Sequence, residues 1–139
     1  MVRNILAVIA GLVVGMVVNI AFVMVNLALF PMPEGTDMND PTAFAGYVET
    51  LPATAFILVL AAHLGQSFVG GWVAARLGAS RPVLLALIVG VFTLLGGIAN
   101  AMQVPMPAWM YVEFPLYLVV AWAAGVLEAR RRALSAPAG

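Results

Sequence analysis

The chain has 139 residues, 64% hydrophobic and 9% charged, with a mean hydropathy of +1.08 and a formal net charge of zero. Soluble domains carry about a quarter charged residues, so six arginines and six acids are too few to hold this chain in water as a globule. The composition excludes a secreted enzyme, a cytosolic domain and a disordered tail, and it points to an integral membrane protein. With no cysteine, disulfides, thiolate metal sites, iron–sulfur clusters and cysteine nucleophiles are excluded too. A single histidine, His63, leaves no all-histidine metal centre within one copy.

A helix crosses a bilayer with about 20 apolar residues. No charge falls between Arg3 and Glu34, between Glu49 and Arg76, or between Arg81 and Glu113, and a fourth apolar stretch from Pro107 to Leu127 is broken only by Glu113. These stretches predict membrane-spanning helices near 4–30, 52–77, 82–104 and 107–128. The expected fold is an all-α, up-down-up-down four-helix bundle forming one integral-membrane domain. The first span is too long for the apolar core of a signal peptide and is expected to stay as an anchor.

After the first span, residues 31–51 form a loop with the acids Glu34, Asp37, Asp40 and Glu49. Asp40 before Pro41 is a helix start, a capping side chain ahead of a residue without an amide proton. Phe44, Tyr47, Val48 and Leu51 then repeat at helical spacing, which predicts a short helix on the membrane surface or across the bundle mouth, ending before Pro52. The loop acids do not have the spacing of a calcium loop, so no metal is expected there. Between the second and third spans, Gly78 is expected to end one helix in a left-handed cap and Ser80 and Pro82 to open the next. Pro105 and Pro107 mark the last turn, and Pro115 is expected to kink the fourth span.

All six arginines, Arg3, Arg76, Arg81, Arg130, Arg131 and Arg132, fall at one end of this arrangement, and neither opposite loop has a basic residue. The positive-inside rule therefore puts both termini in the cytoplasm of a bacterial inner membrane. The run Arg130–Arg132 reads as an orientation signal and not as a nucleic-acid face.

Each span has a stripe of small and polar residues at helical spacing. The first has Asn4, Ala7, Gly11, Gly15, Asn19, Phe22 and Asn26; the second His63, Gln66, Ser67, Gly70 and Ala74. The third has Ala86, Gly90, Thr93, Gly97 and Asn100; the fourth Glu113, Tyr117, Ala121 or Val120, Ala124 and Glu128. Polar groups facing hydrocarbon lose hydrogen bonds at several kcal/mol each, and small residues let helices approach closely. The stripes are expected to face inward or toward another subunit, with Gly11, Gly15, Gly70, Ala74, Gly90 and Gly97 as packing positions. Counting from the outer ends, Asn26, Asn100 and Glu113 lie about 6–9 Å deep, and Asn19, His63, Thr93 and Tyr117 about 15–17 Å deep.

Glu113 is an acid inside the hydrocarbon, expensive when ionised. It reads either as a proton- or cation-binding group reachable from outside, or as a residue bonded to Asn100 and Asn26. Three roles are open to His63: a proton or substrate group, a ligand of a pigment or haem metal, or a core histidine satisfied by Asn19, Tyr117, Gln66 or Ser67. Ser67 follows His63 by one turn, but no acid stands near it in sequence to complete a hydrolytic set. No enzyme, cofactor or resident metal is expected.

The stretches MPEGTDMNDP and AAHLGQSFVGGWVAARL resemble small four-span bacterial inner-membrane proteins; that resemblance implies topology and no activity. The small multidrug transporters have a similar size, but their essential carboxylate lies in the first span. Here the first span has asparagines and the acid is in the fourth, so none of their residues carries over. Two functions follow. The chain is expected to be a non-enzymatic accessory or assembly subunit, in a homo-oligomer or a larger membrane complex. The alternative is a small transporter or channel using an outward-facing cavity around Glu113, His63, Asn19, Asn26, Asn100, Gln66 and Tyr117.

Overall fold

The computed structural model describes residues 1–37 and 39–135. Helix α1, Val2–Leu29, runs unbroken because its apolar sequence contains no proline, and it stops just before Pro31 and Pro33. Helix α2, Pro41–Glu49, starts as expected: Asp40 accepts from the Thr42 and Ala43 amides, and Pro41 needs no partner. Helices α3, Ala53–Leu77, and α4, Pro82–Ala101, follow. A 3-10 turn, Ala108–Val112, then leads into α5, Glu113–Leu134.

Contacts at the arginine-rich end give the helix directions. Arg3, at the start of α1, donates to the Leu77 carbonyl at the end of α3 at 2.9 Å. Arg132, near the end of α5, donates to the Gly78 carbonyl beside the start of α4 at 2.9 Å. α1, α3, α4 and α5 therefore run up, down, up and down as an all-α bundle. Four stretches, Val2–Leu29, Ala53–Leu77, Pro82–Ala101 and Ala108–Leu134, are long and apolar enough to cross a bilayer. The chain is a multi-pass membrane protein.

The bundle is uneven. α3 packs against α1, α4 and α5, and α4 also packs along α5, whereas α1 lies along α3 and only grazes α4. Of the 28 residues of α1, only Ala7, Gly11, Gly15 and Asn26 are buried. Its other faces, with Ile5, Ile9, Val13 and Val17, are at least half bare, as lipid-facing positions require. Gly11 and Gly70 make the closest approach: the carbonyl of each occupies the place where a side chain on the other would begin.

Three turns differ from expectation. Gly78 is extended, with φ −63° and ψ 151°, and the left-handed residue is Arg81, with φ 53°. A methyl group at 78 would meet the end of the Leu85 side chain, which would have to turn aside. Ser80 does not cap α4; its hydroxyl accepts from Asn4 Nδ2 at 3.2 Å, and Asn4 Oδ1 accepts from the Ala79 amide at 2.8 Å. The third span ends at Ala101, short of 104, because residues 102–107 form the proline-bounded turn. Pro115 does not kink a continuous helix: the fourth span changes from 3-10 to α at Glu113, so the proline sits in the first turn of α5, where a missing amide proton costs least.

At the acidic end, α2 folds across the bundle mouth. Tyr47 and Val48 pack with Phe56 of α3 and Met110 of the 3-10 turn, and Phe44 and Leu51 flank them. The Tyr47 hydroxyl donates to the Phe30 carbonyl, and burial raises this phenol above its ordinary pKa, so it remains a donor.

Candidate functional site

Glu113 begins α5 and is wholly buried. A helix N-terminus presents free amide protons and partial positive charge, which suits an acidic side chain in the first turn. Its Oε2 lies 2.8 Å from His63 Nδ1 on α3, while its Oε1 has no hydrogen-bond partner among the described residues. The expected bonds to Asn100 and Asn26 do not form. Asn26 turns instead to the Ala55 carbonyl, donating at 3.0 Å, and leaves its own Oδ1 unpaired.

One turn after Glu113, Tyr117 is buried on the same face. Its ring stacks on His63, with centroids 6.0 Å apart and planes at 29°. Gly97 of α4 makes room for that ring, since a methyl group there would meet the hydroxyl at 2.5 Å. His63 thus bonds neither Asn19 nor Tyr117: one face meets an aromatic ring and Nδ1 faces the carboxyl group. A hydrogen bond at this distance needs a proton on one side of the contact, Nδ1 or the carboxyl group, because two bare acceptors would repel.

Ser67 stands one turn below His63 but is committed elsewhere. It donates to the Tyr117 carbonyl at 2.8 Å, and the Thr93 hydroxyl lies within reach of it at 3.1 Å. Neither Ser67 nor Gln66 satisfies His63. A serine turned away from the imidazole and engaged with a carbonyl lacks the nucleophile–base contact that acyl transfer needs.

Two cavities meet at His63, whose side chain is 14% exposed. The first is a chamber of about 240 Å³ beneath α2, with Val23, Leu27, Val48, Phe56, Val59 and Met110 among its apolar walls. The second, about 480 Å³, lies between α1 and α4, with Met16 and Phe92 on its sides and Gln66, Thr93 and Tyr117 facing it. Asn19, His63 and Asn100 wall both; Asn26 lines only the chamber. Small-molecule sites are commonly about 300–1,000 Å³; the second cavity falls within that range and the chamber just below it. Glu113 lies behind His63 and is on neither wall. Six of the seven candidate residues therefore border cavities, and the seventh reaches them through the imidazole. A shallower groove between the end of α2 and the Pro105–Pro107 turn shares Val48, Leu51, Phe56 and Met106 with the chamber, on the acidic side.

Of the candidate packing residues, Gly97 seats Tyr117 in this centre, and the others bring helices together. Gly11, Gly15 and Gly70 join α1 to α3; Ala74 lies against Gly11; Gly90 meets Ala121 of α5. In the outer loop, Asp40 is used as a helix cap and Asp37 accepts from Asn39. Among the described residues, no three histidine or acidic side chains cluster as a metal site would require.

Sequence reasoning did not single out the ion cluster at the other end. Glu128 is wholly buried, held by two Arg131 nitrogens at 2.7 Å each and by Arg132 Nε at 3.0 Å, with Arg76 at 3.7 Å. Arg132 also reaches the Ala75, Arg76 and Gly78 carbonyls, placing a cation at the negative end of α3. The i, i+3 and i, i+4 spacing of Glu128 to Arg131 and Arg132 was the available signal. Glu128→Ala should lower stability by about 1–2 kcal/mol, less than opening an enclosed pair, because the freed arginines can turn to water. Thermal melts in detergent would measure this loss.

Comparison with protein-family models, with curated proteins and with solved structures gives no match to this chain.

Proposed function

We propose that this multi-pass membrane protein is a small transporter that binds a solute in the chamber beneath α2 and exchanges a proton at the His63–Glu113 pair. The observation that carries this reading is the pair itself: a wholly buried acid bonded at 2.8 Å to a histidine that walls two cavities. Ionisable residues inside a membrane are costly and commonly mark ion or substrate pathways. A histidine bridging a buried carboxyl group and a cavity is a short relay for a proton. The commitments of Ser67 favour a role without catalysis. The arginine-rich end supports cytoplasmic termini in a bacterial inner membrane, with the chamber toward the outside. Three arginines drawn to Glu128 are poorly placed for nucleic acid.

Reconstitution tests the reading. Vesicles with the wild-type protein and an internal pH dye should acidify under an imposed gradient faster than empty vesicles. Glu113→Gln, checked for an unchanged helical spectrum, should slow this by about tenfold, as loss of an essential proton-carrying group does. Wild-type vesicles no leakier than empty ones would remove the proposal.

A second reading, an accessory or assembly subunit in a homo-oligomer or larger complex, is favoured by the sparse burial of α1, which leaves most of its length free for other helices. Purification in a mild detergent would then recover a larger assembly, and a lone monomer in every such detergent would count against it.

A further inference from the structure

Asn19, Gln66 and Asn100 make no side-chain hydrogen bond to another described residue except through whatever fills the cavities they wall. Asn26, 9% exposed, borders the chamber, and its unpaired oxygen is itself closed off from solvent. Four carboxamides border these cavities, three of them partly exposed, and at a depth where lipid offers no hydrogen bonds their free groups suit a polar guest. Carboxamides both donate and accept and have no net charge. Neither cavity wall has an arginine or an acid, and the one nearby carboxyl group is already paired with His63. A charged guest would lack a counter-ion there, so the guest is neutral. The Asn26 oxygen, its amide nitrogen used on Ala55, calls for a donor.

The remaining walls say what else the guest has. Valine, leucine, phenylalanine and methionine side chains surround the polar floor of the chamber. The other cavity is the space left where α1 only grazes α4, beside Met16 and Phe92, which are half exposed. We propose that the site takes an uncharged amphiphile with a hydroxyl head, which enters from the bilayer through the gap between α1 and α4 and sets its head on Asn19, Asn26, Asn100 and His63. This rests on the chamber being a solute site and adds its substrate class and its entrance.

Gly96 permits a direct test. It borders the gap, and a Cβ added there meets nothing within 4 Å, so Gly96→Phe adds a ring at the entrance without a clash at its base. The probe is octanol bearing a photoactivatable diazirine, with the matching octyl sulfate as the charged comparison, on the full chain in phosphatidylethanolamine–phosphatidylglycerol vesicles. Adducts are mapped by mass spectrometry. The alcohol should label gap and chamber residues such as Met16, Phe92 and Val59 in preference to the lipid-facing Ile5 and Ile9, and the sulfate should not. Gly96→Phe, or Met16→Trp if that variant folds poorly, should reduce chamber labelling by about tenfold, the effect of about 1.4 kcal/mol on binding.

Labelling no higher in the chamber than on Ile5 and Ile9, or equal labelling by alcohol and sulfate, overturns the proposal. So does chamber labelling unchanged by both plugs. The chain has no cysteine of its own, so Phe92→Cys reports on a neighbour: full cross-linking between copies without alcohol labelling gives the gap to a second copy. Labelling needs no proton flux. Flux without labelling removes the amphiphile and leaves transport; labelling without flux removes transport and leaves the binding site.

Discussion

Gly70→Leu should separate α1 from α3 and lower stability by about 3 kcal/mol, the upper end of overpacking costs. A Cβ at 70 would stand 2.6 Å from the Gly11 carbonyl and 3.2 Å from Val89 Cγ1. The first obstacle is backbone, which cannot swing aside, and the second lies on another helix, so the side chain has no direction of retreat. α1 has little else to hold it, since it only grazes α4. The loss should therefore appear as release of one helix. Protease cutting within residues 31–40 and hydrogen exchange along α1 should both rise while α4 and α5 stay protected. Gly65→Ala, on the same helix, is the comparison. Its Cβ would meet Val18 at 3.5 Å, an ordinary contact, and stability should change by less than about 0.5 kcal/mol. Equal effects at both positions would show that close backbone approach is not what joins α1 to α3.

The second large effect is expected at His63. His63→Leu fills most of the ring's volume but leaves the buried carboxyl group of Glu113 with no partner on either oxygen. Breaking a buried pair in this way costs about 3–5 kcal/mol. His63→Ala should cost less, although it removes more packing, because the vacated space lies between Glu113 and two cavities and lets water reach the acid. The double variant His63→Leu/Glu113→Leu should regain most of the loss, since apolar replacement of both members of a buried pair is often neutral or stabilising. Denaturation of the wild type, His63→Leu, Glu113→Leu and the double variant in a common detergent measures the coupling. A cycle in which the two single losses simply add would mean the 2.8 Å contact carries no energy.

The fold was legible because hydrocarbon imposes a simple requirement: long apolar runs with their few hydrophilic groups on one stripe. All five members of the last stripe, Glu113, Tyr117, Ala121, Ala124 and Glu128, are buried, and in the first only Asn4, Asn19 and Phe22 retain partial exposure. Depth counting brought His63 and Tyr117 to one level, and they stack there. It put Glu113 a layer higher, with the asparagines. The pairing with His63 was hidden because counting along separate axes says nothing about azimuth or side-chain reach. A glutamate spans most of a helical turn, enough to cross from one layer to the next. The left-handed residue was misplaced because glycine is the cheapest residue in that conformation, whereas the chain turns at Arg81 and leaves Gly78 extended. The burial of Glu128 followed from its stripe, but the arginines gathered on it did not, since its spacing to Arg131 and Arg132 looks the same on a solvated helix.

The lopsided seat of α1 has a meaning for how the protein is made. Ribosomes deliver α1 first, and it has nowhere to dock until α3 has entered the bilayer. Arg3 then finds the Leu77 carbonyl only after most of that third segment has emerged. Arg132 grips the same junction from the far end of the chain, so that grip closes last. The seat of α1 thus waits for α3, and Arg132 fastens the α3–α4 junction only once α5 has followed.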